Sequence, residues 1–264
     1  MKGVAGIWLL AFVLGPSFAL ASLTKEQKSQ AVWLESVSVP TPAEFFVSMD
    51  KQSQPDWVSF YREPVDATYS TRSQMALSLG ALVTDGFVAV EAQDGQQVKN
   101  NGKEIMALAS ALGVGEDVLM RGKSIGDFAE KNDWFALREE LEATSNEVRS
   151  AMVSQRDEAL ASLITVGAWF RALQIGSLAA KSSDGSETGD LLRQSDLVAG
   201  LRGHLEGLPE KERDGRVVGQ TTKVLADLEE TMGASQGSHF GADQVTAVGE
   251  RAGKFLTEIE AEQP

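Results

Sequence analysis

The residue whose type and place most invite chemistry is Arg171. It stands near the middle of Ala159 to Ala180 (ALASLITVGAWFRALQIGSLAA), a stretch apolar nearly all round. At helical spacing it shares a face with Leu160, Ile164, Gly167, Ala168, Ile175 and Leu178. An unpaired guanidinium buried on such a stripe would cost several kcal/mol. It therefore needs a carboxylate partner, a path along its own stem to water, or a cavity that holds an anion. Asp85 is the partner the sequence offers, midway along the second apolar stretch, Met75 to Ala92 (MALSLGALVTDGFVAVEA). Three readings follow. In the first, Arg171 and Asp85 form a core ion pair that sets the register of two helices. In the second, they are ligand-binding residues, and Arg171 holds a small carboxylate or phosphate between those helices. In the third, Asp85 is the base of an enzyme site. Asp85 also shares a stripe with Ser78, Thr84 and Glu91, which reads equally as the exposed edge of its helix.

Other chemistries find no footing. With no cysteine in the chain, disulfide frameworks, iron–sulfur clusters, thiol catalysis and cysteine-ligated zinc are excluded. The two histidines, His204 and His239, are far apart and outside any His-Glu-x-x-His or Glu-x-x-His pattern, so no metal and no cofactor are expected. Both read as surface residues. Glu139, Glu140 and Glu142 cover adjacent faces of an exposed helix, as do Glu258, Glu260 and Glu262 near the C-terminus. No Gly-x-Ser-x-Gly elbow is present. Gly113-Val114-Gly115 follows a helical pattern and lacks the closing Gly-Lys-Ser/Thr of a phosphate loop, so it reads as a helix end and turn. Trp33, Trp57, Trp134 and Trp169 lie in separate segments and read as core anchors.

The elements that must carry these residues are helical almost throughout. Lys25 to Val39 has modest helical character up to Pro40. Thr41-Pro42-Ala43-Glu44 then spells a helix start, with Thr41 capping, Pro42 in the first turn and Glu44 closing a capping box. Gln54 to Thr71 lacks a clean period and reads as an ordered loop pinned by its aromatic residues. Asp94 caps a helix bearing Val98, Ile105, Leu108 and Leu112, and Gly113 ends it. Ser124 to Glu130 reads as a short turn, and Asp133 to Met152 as a clean amphipath with Arg138, Glu139, Glu140, Glu142 and Arg149 in solvent. Ser182 to Asp190 (SSDGSETGD) is a loop and the candidate sub-boundary of a single domain over 22–264. Three amphipathic helices follow, around Leu191 to Leu205, Val217 to Leu228 and Val245 to Ile259. No repeat period near 34 residues recurs after Phe128 to Trp134.

Two apolar helices among amphipathic ones predict an all-α multi-helix bundle, with Gly80, Gly86, Gly167 and Gly176 letting the central pair approach closely. Ala159 to Ala180 is long enough to cross a bilayer, but Arg171, Gln174 and the lack of flanking basic clusters favour a core helix. Met1 to Ala21 has the signature of a secretory signal peptide: Lys2, the apolar run Ile7 to Leu14, the break at Gly15-Pro16, and Ala19-Leu20-Ala21 for cleavage. An exported chain without cysteine points to a bacterial periplasm. With 24 basic against 38 acidic side chains and a net charge of −14, no nucleic-acid partner is expected. The absence of catalytic motifs makes a non-catalytic interaction or scaffold protein of the cell envelope, with an envelope protein as partner, the leading expectation. A small anionic-ligand binder using Arg171, or an enzyme with a carboxylate site, is the alternative.

Overall fold

In a computed structural model of the protein, residues 32–34, 37–53, 55–62, 69–182, 186–233 and 240–261 are described. The signal peptide expected over Met1 to Ala21 lies outside them, as does His239.

Local sequence sets most of the helix ends. Helix α1 (Pro42–Ser53) starts as expected: the Glu44 carboxylate accepts from the Thr41 amide at 2.9 Å, and the Thr41 hydroxyl accepts from the Glu44 amide at 3.2 Å. A 3-10 turn, Trp57–Phe60, leads on to Tyr61 and Arg62. Helix α2 (Arg72–Glu91) opens on a second capping box, Thr71 with Gln74. Asp94 caps α3 (Gly95–Ala111) by accepting from the amides of Gln96 and Gln97, and Gly113 beyond it takes the left-handed φ of 83°. Then come α4 (Glu116–Lys131), α5 (Trp134–Ser154) and the longest helix, α6 (Glu158–Ser182). The chain closes with α7 (Ser186–Leu192), α8 (Ser195–Glu206), the single turn α9 (Glu210–Arg213), α10 (Arg216–Gly233) and α11 (Ala242–Ala261).

The architecture is an all-α multi-helix bundle built around α2 and α6, which make the most extensive helix pairing in the molecule. Helix α11 covers a second side of α6, while α3 and α5 flank α2. Helices α3, α4 and α5 pack in sequence, and α8, α10 and α11 form the opposite wall. Both central helices are long and apolar enough to cross a membrane by length and composition, and most of each is buried inside this bundle.

Two glycines set how closely the central pair packs. A Cβ on Gly80 would lie 1.9 Å from the Ile164 carbonyl oxygen, and one on Gly167 would lie 2.0 Å from that of Leu77. The backbones touch, and the Thr84 hydroxyl donates across the contact to the Ala168 carbonyl at 3.1 Å. The other two glycines expected there serve elsewhere: Gly86 faces the Leu141 side chain of α5, and Gly176 faces Phe45 and Leu192.

Three local expectations are corrected. The end of the Lys25 to Val39 stretch is not helical. Val32–Leu34 (β1) and Val37–Val39 (β2) form a small antiparallel ladder pairing Val32 with Val39 and Trp33 with Ser38. Valines at both ends of a short run before Pro40 suit extended backbone better than helix. Ser124 to Glu130 is not a separate turn but the second half of α4. Gly122 and Gly126 weaken its helical signal, yet Val118, Ile125 and Ala129 supply a buried stripe that packing rewards. Within the Ser182 to Asp190 stretch, Ser186 begins α7, because Leu192 is drawn into the core.

The contact predicts its own sensitivity. Gly80→Ala and Gly167→Ala should each cost about 3 kcal/mol in urea denaturation, since backbone must move to admit the methyl group. Gly203→Ala, on an α8 site with nothing within 4 Å, should gain about 0.5–1 kcal/mol.

Candidate functional site

The contact between α2 and α6 brings Asp85 and Arg171 together. Arg171 is only 1% exposed, and its Nε donates to Asp85 Oδ1 at 2.7 Å. Its Nη1 donates to Gln174 Oε1 at 2.7 Å, and its Nη2 to the Phe60 carbonyl. Every nitrogen of this buried guanidinium thus has an oxygen partner. Burial still pushes its pKa down, with Asp85 opposing that shift and Arg62 adding to it.

The pair belongs to a larger network. Arg62 donates to Asp85 Oδ2 from Nε at 2.9 Å and from Nη2 at 2.5 Å, and to Glu260 Oε1 from Nη1 at 2.8 Å. Two guanidiniums and two carboxylates therefore neutralise one another, joining α2, α6, α11 and the segment after the 3-10 turn. Burial works against the charge on Arg62, but Asp85 and Glu260 outweigh it and raise its pKa. The 3-10 segment is held by ring contacts, Phe46 to Trp57 at 5.1 Å and Trp57 to Phe60 at 5.9 Å between centroids. Gln74 Nε2 donates to the Ile259 carbonyl at 3.2 Å, fixing the end of α11 beside Glu260.

Above this network opens a cleft of about 340 Å³. Asp85 and Leu82 of α2, Glu260 of α11, and Tyr61, Arg62 and Tyr69 form its inner part. Gln97, Asn100, Asn101, Lys103 and Glu104 of α3 form the opposite wall. Arg171 is not a lining residue; it lies behind Asp85. Burial and then Asp94, whose carboxylate accepts from the Tyr61 hydroxyl at 3.4 Å, push that phenol up to about 12. Burial also raises Tyr69, with the neighbouring Ser78 opposing the shift. On the α3 wall Asn101 is 5% exposed. Its Oδ1 accepts from Gln97 Nε2 at 3.1 Å, while its own Nδ2 is buried without a hydrogen-bond partner.

The sequence pointed to Asp85 and Arg171 as a pair, and the two are paired; the exposed-edge reading fails, since Ser78 and Thr84 are buried. Arg62, Asn101 and Glu260 were missed. Glu260 was read as exposed, yet it is 5% exposed. Its spacing carried a signal: it lies four residues after Leu256 and eight after Ala252, at the edge of the buried stripe of α11. Glu142 and Arg149 are likewise only half exposed. They line a small pocket with Thr41, Phe87 and Ile164, where Glu142 Oε1 has no hydrogen-bond partner. Burial raises the Glu142 carboxyl pKa, with Thr41 offsetting part of the shift, and lowers Arg149 to about 10, opposed by Glu142.

His204 is not a free surface residue either. Its Nε2 lies 2.8 Å from Ser162 Oγ, but Ser162 is 1% exposed and its hydroxyl donates to the Glu158 carbonyl at 2.8 Å. A sealed hydroxyl committed to its own helix is no nucleophile, so the contact ties α8 to α6. Among the described residues, no three His, Asp or Glu side chains gather as a metal would need.

The chain matches no protein-family model, no curated protein and no solved structure.

Two predictions follow from these groups. Arg171→Met should cost about 3 kcal/mol by urea denaturation, because the Phe60 carbonyl and the Gln174 amide oxygen lose their donor in a dry core. Arg171→Lys should recover little of it, since an ammonium lacks the fork that reaches three partners. For Glu142, a raised folded-state pKa means stability that is present at low pH and is lost as pH rises through that pKa. Glu142→Gln should therefore melt a few degrees above the parent at neutral pH, and the difference should vanish in acid.

Proposed function

We propose that this protein is an exported, non-catalytic binding protein of the periplasm that holds a small polar molecule in the cleft between α2, α3 and α11. The observation that carries the reading is the cleft itself, about 340 Å³ of space with the polar side chains of Tyr61, Tyr69, Gln97 and Asn100 on its walls. A cleft of about 340 Å³ also falls within the size range of small-molecule sites. Export rests on the signature of Met1 to Ala21, and a soluble bundle on the burial of both apolar helices.

Binding is favoured over catalysis by the state of the carboxylates. Both oxygens of Asp85 already accept from guanidiniums, which places it to hold two cations rather than to take a proton from a substrate. Binding is also favoured over a scaffold role. The large exposed apolar residues Val47, Val58, Met120, Phe135, Val153 and Leu178 are shared among five separate elements.

Native mass spectrometry of the protein recovered gently from its own compartment tests the proposal. An adduct of small mass is expected on the parent chain and absent from Asn100→Leu, which replaces an exposed amide of the cleft wall with an apolar side chain. A bare parent mass, or an adduct retained by Asn100→Leu, overturns it.

A further inference from the structure

We infer that Glu142 and Arg149 form a pH-operated latch beneath the start of α1: a neutral Glu142 carboxyl lets the Val39 to Pro42 wall close over it, and an ionised one leaves toward Arg149 and frees that wall. The latch lies apart from the cleft, in the small pocket where β2 and the first turn of α1 meet α2, α5 and α6. The pocket holds about 20 Å³, room for one water and not for the hydration shell of a carboxylate. Glu142 Oε1 is buried there without a hydrogen-bond partner. Its neighbours have little to give it. Pro40 and Pro42 carry no amide proton, the Thr41 amide donates to Glu44, and the Thr165 hydroxyl donates to the Ala161 carbonyl. An oxygen sealed among such groups is tolerable on a neutral carboxyl and costly on a carboxylate.

The groups around Glu142 set the direction. Burial is the largest effect and keeps its proton on above the usual carboxylate range. Thr41 and Arg149 oppose that shift, while Glu44 on α1 and Glu139 on α5 add to it. The other walls contribute Val39 from β2, Phe87 from α2, and Ile164, Thr165 and Ala168 from α6, none of which titrates. Arg149 is where the ionised group goes. Among the described residues it has no ion pair, and its Nη2 donates to the uncharged Asn146 Oδ1 at 2.6 Å. Burial lowers it only to about 10, so it stays charged near neutrality. It lies seven residues beyond Glu142, two turns along the same face of α5. The wall over Glu142 is the part free to answer. Thr41 and Glu44 close a single capping box there, whereas α2 and α6 are locked by backbone contact.

Hydrogen exchange of the full chain tests the latch, read as protection factors in mild acid and in mild base so that the intrinsic rate cancels. In the parent chain, protection of the Ala43, Glu44 and Phe45 amides is expected to fall about tenfold from acid to base. It should stay level in Glu142→Gln, which keeps the neutral shape, and Val224 and Leu225 of α10 should stay level in both. The Glu142 carboxyl carbon, followed by NMR, should titrate at the midpoint of that fall. In Arg149→Gln, with no cation to receive the carboxylate, the midpoint should move up by about one pH unit. Level protection in the parent, a fall that persists in Glu142→Gln, or a fall shared with α10 overturns the latch. An unmoved midpoint in Arg149→Gln overturns the part assigned to Arg149.

Discussion

A guanidinium sealed in a protein core must have its donors met, and much of this molecule is arranged to meet those of Arg171. The three nitrogens point in three directions, so no single partner can satisfy them. Asp85 arrives from α2, Gln174 from the same helix one turn on, and the Phe60 carbonyl from a segment far away in sequence. That last partner explains why an irregular stretch rich in aromatic residues is held so firmly on the bundle. Asp85 alone would leave one carboxylate oxygen for a second cation, and Arg62 fills it. Arg62 in turn calls Glu260 into the interior. Each charge is tolerable because the next one neutralises it.

This chain of ion pairs depends on the backbone contact of α2 and α6. Without side chains at positions 80 and 167, the helices stand close enough for Asp85 and Arg171 to meet at 2.7 Å. Larger residues would separate the axes and strand both charges in apolar surroundings. The glycines and the ion pair therefore specify one register together: the first permits the approach, and the second penalises any sliding of one helix past the other.

The cleft is a consequence of the same arrangement. Helix α3 follows α2 through a tight turn at Gln93 and Asp94, and the cleft lies between α3 and the ion-pair network. The floor of that space is charged but internally neutral, and its walls are amides and phenols. Such a surface offers hydrogen-bonding groups, and its one arginine is already held by Asp85 and Glu260.

Some of this was determined by the sequence alone. The helix starts at Thr41 and Asp94 and the end at Gly113 depend on side chains bonding to amides two or three residues away, or on one residue's φ, and such effects are local. Apolar runs over α2 and α6 announced the central pair, because a helix with no wet face must be covered. Arg171 advertised itself by being out of place on such a helix, and Asp85 was the matching anomaly on the other. What only the tertiary structure decided are the members with no local oddity. Arg62 lies in an aperiodic stretch, Glu260 sits at the margin of an amphipathic face, and Asn101 looks like an ordinary polar residue of a surface helix. Their burial follows from which elements cross above them, and contacts across 198 residues, as between Arg62 and Glu260, leave no periodic trace in the chain. The short strands over Val32 to Val39 and the full length of α4 were decided in the same way. There, intrinsic preference is weak, and the energy of packing against neighbours is the larger quantity.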